Sequence, residues 1–486
     1  MATIYCKLFS DTVSDTSPPT KNPPPLIPSL RINKRFLTNK CELSVHFPMT
    51  EMAPLTPDHF HIEVKDQQYK NIFVLFSGFI PGCAETCAKY NIGFEHEMRS
   101  EWWYSRALIA STYVRHGFSK MLNIVHGEYS VILLDRRNRE RPLLYVATDR
   151  VGSIPMYSKT NSEDDLSVSF SNGHLPGSNK LEPGYWELFA FSSNSWKKVD
   201  RKKYFAIEKN WFDSLTLTPF QYMLGTLNNE IRSMIPANKK VVCMLSGGLF
   251  STVIAVILSK YVPDLSTVFV GVNNGARGYQ SAMIVSEKLR TNHTNILMDD
   301  YDFCRVTGNV ICLLQTEDVH TVRDGCVHYL AASGLSSHFM DDATVFLGDG
   351  GGNVFSDYTN DDLSGDNMFE LGAYFRMSPR RKPAKIEDTV THLDQIYRRK
   401  FGISIRLPYF TSKMAEFASR HDFFREDLIE WLEKQIPEPK SEYYLQRSPM
   451  TSAFPMGVLY DMTVHNFANV NESEYYSDIL GESRAI

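Results

Sequence analysis

No apolar run in this 486-residue chain reaches the roughly 18 residues that a membrane helix needs. The opening residues, MATIYCKLFSD, lack the charged-then-apolar order of a secretory leader. These absences predict a soluble, cytoplasmic protein with no membrane partner. A broad basic field is missing too. The net charge is −5, and the short cluster Pro379-Arg380-Arg381-Lys382-Pro383 reads as a solvated loop, so no nucleic acid is expected as a partner. Cysteine is sparse, eight residues scattered from Cys6 to Cys326. Cys83 and Cys87 are the only close pair, and no second pair or histidine doublet completes a zinc set. Repeats of the solenoid kind are also absent.

What is present suffices for a substantial core: 43% of residues are hydrophobic and 22% charged, at a length that suits two or three domains. The segment Ser17 to Ser29, SPPTKNPPPLIPS, carries six prolines. It cannot lie inside a sheet and predicts a surface loop or extended arm. From His61 to about Lys203, short apolar runs (NIFVLFSGFI, YSVILLD, PLLYVATD, LSVSFS) alternate with turn residues, and one helical stretch is expected near Arg99 to His116. This half reads as a mostly antiparallel, sheet-rich domain. The character changes after Trp211. Phe220, Met223, Leu224, Leu227, Ile231 and Met234 recur every three or four positions, the face of a helix that stops before Pro236. Three strand-like runs follow, VVCML, STVFVGV and ATVFLG, with helical segments between them, a pattern that implies a parallel sheet covered on both faces. The expected fold class is α/β overall.

Parallel sheets bind ligands at the carboxyl ends of their strands, where the next helix presents unpaired amides. Ser246-Gly247-Gly248-Leu249-Phe250-Ser251-Thr252 stands at such a place. Its two glycines permit close backbone approach to a pyrophosphate, and Ser246, Ser251 and Thr252 add hydroxyl groups. A glycine turn between strand and helix is commonplace by itself. The second glycine run, Gly348-Asp349-Gly350-Gly351-Gly352, follows the strand ATVFLG, and two such loops on one sheet would face each other across a cleft.

These segments resemble those of a known family. SGGLFS resembles the SGGxDS loop of the N-type ATP pyrophosphatases, and GDGGGNVFSDY resembles the GEGADELFGGY loop of asparagine synthetases. Val322 and Arg323 match a VRAS-like stretch in the helix between the two loops, and FGISIRLPYF, with Gly402, Arg406 and Pro408, resembles a GLEVRVPFL segment. In the first half, HGEYSVILLD and VATDRVGSIPMYSK resemble stretches of the class II glutamine amidotransferase domain, with Asp149, Arg150, Gly152 and Pro155 matching, and LEPGYWEL resembles the turn that closes that domain. The resemblance implies an Ntn-hydrolase-like amidotransferase domain over residues 1–205 and an ATP-pyrophosphatase domain over 206–486 with a helical C-terminal part. It further implies ATP held by Ser246, Gly247, Gly248, Ser251, Thr252, Leu347, Gly348 and Gly350, with the adenine beside Val270 and Val272. Asp349 and Arg323 become the candidate catalytic residues.

Departures from the family pattern carry equal weight. Glutamine-using members expose a cysteine directly after the initiator methionine as nucleophile, whereas position 2 here is Ala2 and Cys6 lies four residues further in. The chain is therefore expected not to hydrolyse glutamine, like the β-lactam synthetases and lasso-peptide cyclases, whose attacking amine belongs to the substrate. Gly-Gly-x-Asn-Val-Phe at 350–355 resembles the cyclase-type GGDNVF. In the family each loop contributes an aspartate to Mg²⁺, and those positions are Phe250 and Gly352 here. Asp349, Asp357, Asp361 and Asp362 are the acids within reach of a substitute role, Asp349 first among them. Three readings stay open: an ATP-dependent enzyme that joins a small-molecule or peptide carboxylate to an amine through an acyl-adenylate, a pseudoenzyme that keeps nucleotide or partner binding, and a structural protein whose phosphate pocket Phe250 fills. A homo-oligomer is compatible with each.

Overall fold

The structure is a computed structural model and describes residues 5–8, 29–30, 43–48, 71–89, 101–138, 141–160, 166–170, 177–192, 195–205, 217–236, 239–271, 277–298, 300–339, 343–351, 390, 392–418, 425–436 and 472–485. The proline-rich segment up to Pro28, the basic cluster at 379–383, Val272, Gly352, Asp357, Asp361 and Asp362 lie outside these residues. The chain divides into two compact units, one ending at Ile207 and the next beginning at Glu208.

In the first unit, β4 (Ile72–Phe79), β5 (Glu128–Asp135), β6 (Leu143–Thr148), β10 (Tyr185–Ser192) and β11 (Ser195–Lys203) form an antiparallel sheet in the order β11-β10-β6-β5-β4. A second antiparallel sheet has the order β2-β3-β1-β8-β7-β9. Its strands are β1 (Tyr5–Leu8), β2 (Ser29–Leu30), β3 (Leu43–Pro48), β7 (Tyr157–Thr160), β8 (Leu166–Ser169) and β9 (Asn179–Lys180). The run YSVILLD is apolar almost throughout because β5 is covered on both faces. Tyr129, Val131 and Leu133 point to helices α1 (Cys83–Lys89), α2 (Glu101–His116) and α3 (Phe118–Ile124). Ile132 and Leu134 alternate to the other side and meet Leu166 and Val168 of β8. The two-layered sheet expected of this half is therefore present, with helices on the far face of one layer. Helix α2 coincides with the predicted stretch, whereas α1 and α3, each seven residues long, are too short for periodicity to announce.

Two matched stretches of this unit are turn-builders. The carboxylate of Asp149 accepts hydrogen bonds from the backbone amides of Tyr129, Val151, Gly152 and Ser153 at 2.8–3.0 Å, and Gly152 has φ 69°. Gly184 of LEPGYWEL, at φ 70°, donates its amide to the Asp149 carbonyl at 3.0 Å. Cys6 sits in β1 opposite Val45 of β3 and Val168 of β8, an interior strand of its sheet.

The second unit opens with α4 (Pro219–Met234), whose N-terminus carries a reciprocal capping box between Thr218 and Gln221 and proline at the first position. Met223, Leu227, Ile231 and Met234 form its buried face, as the spacing predicts. Five parallel strands follow, in the order β14-β13-β12-β15-β16: β12 (Lys240–Met244), β13 (Ser266–Gly271), β14 (Asn292–Leu297), β15 (Ala343–Phe346) and β16 (Ser404–Arg406). Helices α5 (Leu249–Ser259), α6 (Arg277–Leu289), α7 (Asp300–Leu314) and α8 (Val319–Phe339) connect the first four strands. Then come a π-helical turn (Asp394–Lys400), a 3₁₀ turn (Pro408–Phe410), α9 (Ser412–Ala418), α10 (Arg425–Gln435) and α11 (Glu472–Ala485), the helical C-terminal part.

Helix α5 is apolar all round because it is enclosed, and Val253 to Leu258 are each at most 2% exposed. Strands β14 and β16 had no clear sequence signal. The first is a polar, partly exposed edge, NHTNIL, and the second is three residues long. Arg406, matched to the family segment, is a buried tie. Its guanidinium donates to the carbonyl of Met234, the last residue of α4, at 3.3 Å and to the Ser404 hydroxyl at 2.7 Å.

Candidate functional site

From β12 the chain steps outward to β13 and β14, then reverses to β15 on the other side of β12. The switch point of this sheet, where an open α/β fold leaves a crevice beyond the strand ends, thus lies between β12 and β15. Both glycine runs sit there.

The first run turns sharply at Gly247, φ 78°. A side chain at Gly247 would collide with the Gly278 carbonyl oxygen and lie 2.9 Å from the Ser281 Cβ, because the N-terminal turn of α6 packs directly on the loop. Ser281 Oγ donates to the Gly247 carbonyl at 2.8 Å. Gly248 is the N-cap of α5 and no side chain caps that end, so first-turn amides are presented to the crevice. A Cβ added at Gly248 would meet only the Ser246 hydroxyl, at 3.4 Å. The loop is therefore uncrowded at Gly248. Ser246 Oγ and Ser251 Oγ are 2.9 Å apart and share a hydrogen bond. The Thr252 hydroxyl, fully buried, donates to the Gly248 carbonyl at 2.8 Å and builds the turn.

The second run is crowded rather than open. A Cβ on Gly348 would lie 3.0 Å from the Ser251 Cα, and one on Gly350, φ 89°, would lie 2.7 Å from the Phe410 ring. On Gly351 it would strike Cγ of Phe250 and lie 2.8 Å from that residue's Cβ. The half-buried Phe250 ring also meets Tyr409 edge-on, centroids 5.4 Å apart, and the Tyr409 hydroxyl donates to the Phe250 carbonyl at 3.0 Å. One aromatic side chain thus joins α5, the second loop and the 3₁₀ turn. Leu347 and Val270 are 1% exposed and face the packed interior.

Asp349 belongs to a group of three that sequence reasoning did not assemble. Its carboxylate lies 3.4 Å from Nε2 of His328 on α8, whose Nδ1 lies 3.1 Å from the hydroxyl of Tyr397 in the π-helical turn. Burial opposes the imidazolium of His328, but the hydrogen-bonded Asp349 carboxylate and the charge of Asp324 outweigh it and raise its pKa above the ordinary value. Burial and the nearby Asp349 push the Tyr397 phenol far above its usual range. Arg323, earlier on α8, is buried at 8% exposure. No local signal links positions 328, 349 and 397; only the sheet order brings them together.

Residues 225–436 match the asparagine synthase family. The chain is 22% identical over 349 residues to the glutamine-hydrolyzing asparagine synthetase of Gallus gallus, covering 64% of this chain and 59% of that protein. It is 21% identical over 430 residues to that of Mesocricetus auratus, covering 79% of this chain and 70% of that one. The corresponding protein of Homo sapiens is 20% identical over 429 residues. NMN synthetase from Francisella tularensis aligns over 55% of this chain and 96% of its own at 15% identity, with a TM-score of 0.26; a score that low carries no weight, and the fold rests on the strand pairing described above. Among the described residues no helix is long and apolar enough to cross a membrane.

Proposed function

We propose, for a chain that is asparagine-synthetase-like, that it binds ATP in the crevice between the Ser246–Thr252 and Leu347–Gly351 loops and uses it for amide-bond formation without glutamine as the nitrogen source. The observation that carries this reading is the placement of both loops at the switch point of the parallel sheet, with Gly248 open toward the crevice. In this chemistry a carboxylate oxygen attacks the α-phosphorus and pyrophosphate leaves. An amine nitrogen then attacks the acyl carbon, AMP leaves, and the amine's proton must pass to a base. The amides before α5 would bind phosphate, and Asp349, 3.4 Å from His328 Nε2, would be the proton acceptor of the second loop. The acid is a small molecule or a peptide, and an intramolecular amine would make the product a ring. Cys6, held within an interior strand between β3 and β8, supports a nitrogen source other than glutamine.

A resident Mg²⁺ does not fit the described residues. An aromatic ring fills the gap between the loops, the acid of the second loop faces a histidine, and no three His, Cys, Asp or Glu side chains converge among the described residues. The same observation favours a second reading, a pseudoenzyme that retains nucleotide or partner binding without adenylation. Calorimetric titration of ATP into wild type and Gly248→Val tests the site. Loss of affinity in a variant whose circular dichroism is unchanged supports it, while equal affinity removes nucleotide from this loop. Pyrophosphate release in the presence of candidate acids then separates the enzyme from the pseudoenzyme.

A further inference from the structure

We propose that His328 is a positioning residue for the crevice: fixed by Tyr397 in the form that carries a proton on Nε2, it orients the carboxylate of Asp349 as an acceptor. This rests on the reading that an amine is joined to an activated acid, and it assigns the group that holds the base of that step.

Asp349 stands between Gly348 and Gly350, and a carboxylate on a glycine-rich loop loses efficiency as a base unless it is held close to its working position. The holder comes from rigid elements. His328 lies on α8, a 21-residue helix, with Nε2 3.4 Å from the carboxylate, and catalytic hydrogen bonds are often this long before substrate arrives. Tyr397 supports the ring from the other side, its hydroxyl 3.1 Å from Nδ1 and the two rings edge-on with centroids 5.8 Å apart. The π-helical turn that carries Tyr397, a geometry frequent at functional sites, is itself tied down. Arg398 donates to the Asp394 carboxylate at 3.1 Å and to the Ile405 carbonyl of β16 at 2.8 Å. Exposure rises along the row, from the fully buried Tyr397 to the side chains of His328 at 13% and Asp349 at 24%. The carboxylate is its most accessible member.

Hydrogen-bond chemistry then decides which nitrogen faces the acid. The Tyr397 phenol, held far above its usual range, keeps its proton and can donate or accept. Against a neutral imidazole it donates to Nδ1, so the ring's own proton sits on Nε2. Against a charged ring, which Asp349 and Asp324 favour, it accepts from Nδ1–H, and Nε2 is protonated as well. Nε2–H points at Asp349 in both states. His328 therefore holds the carboxylate without taking a proton from it. In the second step of the reaction the C–N bond forms, AMP leaves with the electron pair of the acyl C–O bond, and the amine's proton passes to Asp349. The first step moves no proton, because a carboxylate oxygen simply displaces pyrophosphate. Loss of His328 should consequently separate the two steps.

NMR of the full chain with nitrogen-labelled histidines reads the row without any substrate. The resonances that disappear in His328→Gln should show a protonated Nε2 and a bare Nδ1 once the ring is neutral, and Tyr397→Phe should mix the two tautomers. A neutral wild-type ring with its proton on Nδ1 overturns the proposal. The role is read with ATP and magnesium, a panel of free amino acids as carboxylates, and ammonia or hydroxylamine as the amine. His328→Leu should keep the first-turnover pyrophosphate burst within about threefold of wild type and slow amide formation by about tenfold to a hundredfold. His328→Gln, whose amide N–H can replace Nε2–H, should recover most of that loss, and Tyr397→Phe reads the same row if His328→Leu fails to fold. Equal losses in the Leu and Gln variants, amide formation in His328→Leu as fast as in wild type, or a wild type that releases pyrophosphate but joins neither amine overturns the proposal and leaves adenylation standing. A wild type that releases no pyrophosphate removes the function above and this role together.

Discussion

The two glycine runs of the second unit look alike in sequence and differ in what forbids a side chain. At Gly247 the obstacle is backbone, the Gly278 carbonyl, and φ is positive, while its neighbour Gly248 faces open space. At Gly348, Gly350 and Gly351 the obstacles are Ser251, Phe410 and Phe250. The first run leaves Gly248 uncrowded; the second is shaped around the start of helix α5 at Ser251 and the rings of Phe410 and Phe250. A glycine-rich loop after a parallel strand is therefore evidence of close approach, and in the second run what approaches is the protein itself.

The comparison breaks most severely at Gly247. Alanine there meets a fixed carbonyl in a left-handed conformation, so Gly247→Ala should destabilise the second unit by about 3 kcal/mol or more, read from urea unfolding. Gly351→Ala should cost roughly 1–3 kcal/mol through overpacking against Phe250. In a Phe250→Ala background most of that cost should vanish, a coupling of about 1–2 kcal/mol in a double-mutant cycle. Additive effects would show that the ring does not account for the glycine. Tyr409→Phe removes only the hydroxyl that holds the Phe250 carbonyl, and chemical denaturation should register a loss of about 1 kcal/mol.

The smallest effect is electrostatic and depends on pH. Because the pKa of His328 is raised in the folded protein, its contribution to stability is complete below the unfolded value near 6.5 and is lost as pH rises through the folded value. The stability gap between wild type and Asp349→Asn should therefore be widest under mildly acidic conditions and close in alkali. A gap that widens with pH would refute the assigned charge of His328.

Sequence patterns revealed much of this fold where the physics is local. The three-and-four spacing of Met223, Leu227, Ile231 and Met234 specifies a helix face whatever lies against it, and Pro236 marks its end; the capping box of Thr218 and Gln221 at its start emerged only from the structure. The runs VVCML, STVFVGV and ATVFLG are rich in β-branched residues and became the central strands. Polar β14 and three-residue β16 escaped notice because an exposed edge and a short strand carry little hydrophobic periodicity. The site was half legible. The turn at Ser246–Gly248 could be placed between strand and helix from its neighbours alone, and the missing acid at Phe250 could be noticed there.

What Phe250 does instead depends on Gly351 and Tyr409, residues distant in the chain that meet it because β15 pairs with β12 and the 3₁₀ turn follows β16. The same holds for His328, Asp349 and Tyr397, drawn from a helix, a loop and a π-helical turn. The sequence by itself determined the central strands, the helix faces of α2 and α4 and the glycine turn after β12, since periodicity and turn chemistry are properties of a few consecutive residues. Tertiary structure alone decided which glycine faces solvent and which faces an aromatic ring, since that depends on strand order and on contacts among side chains far apart in the chain.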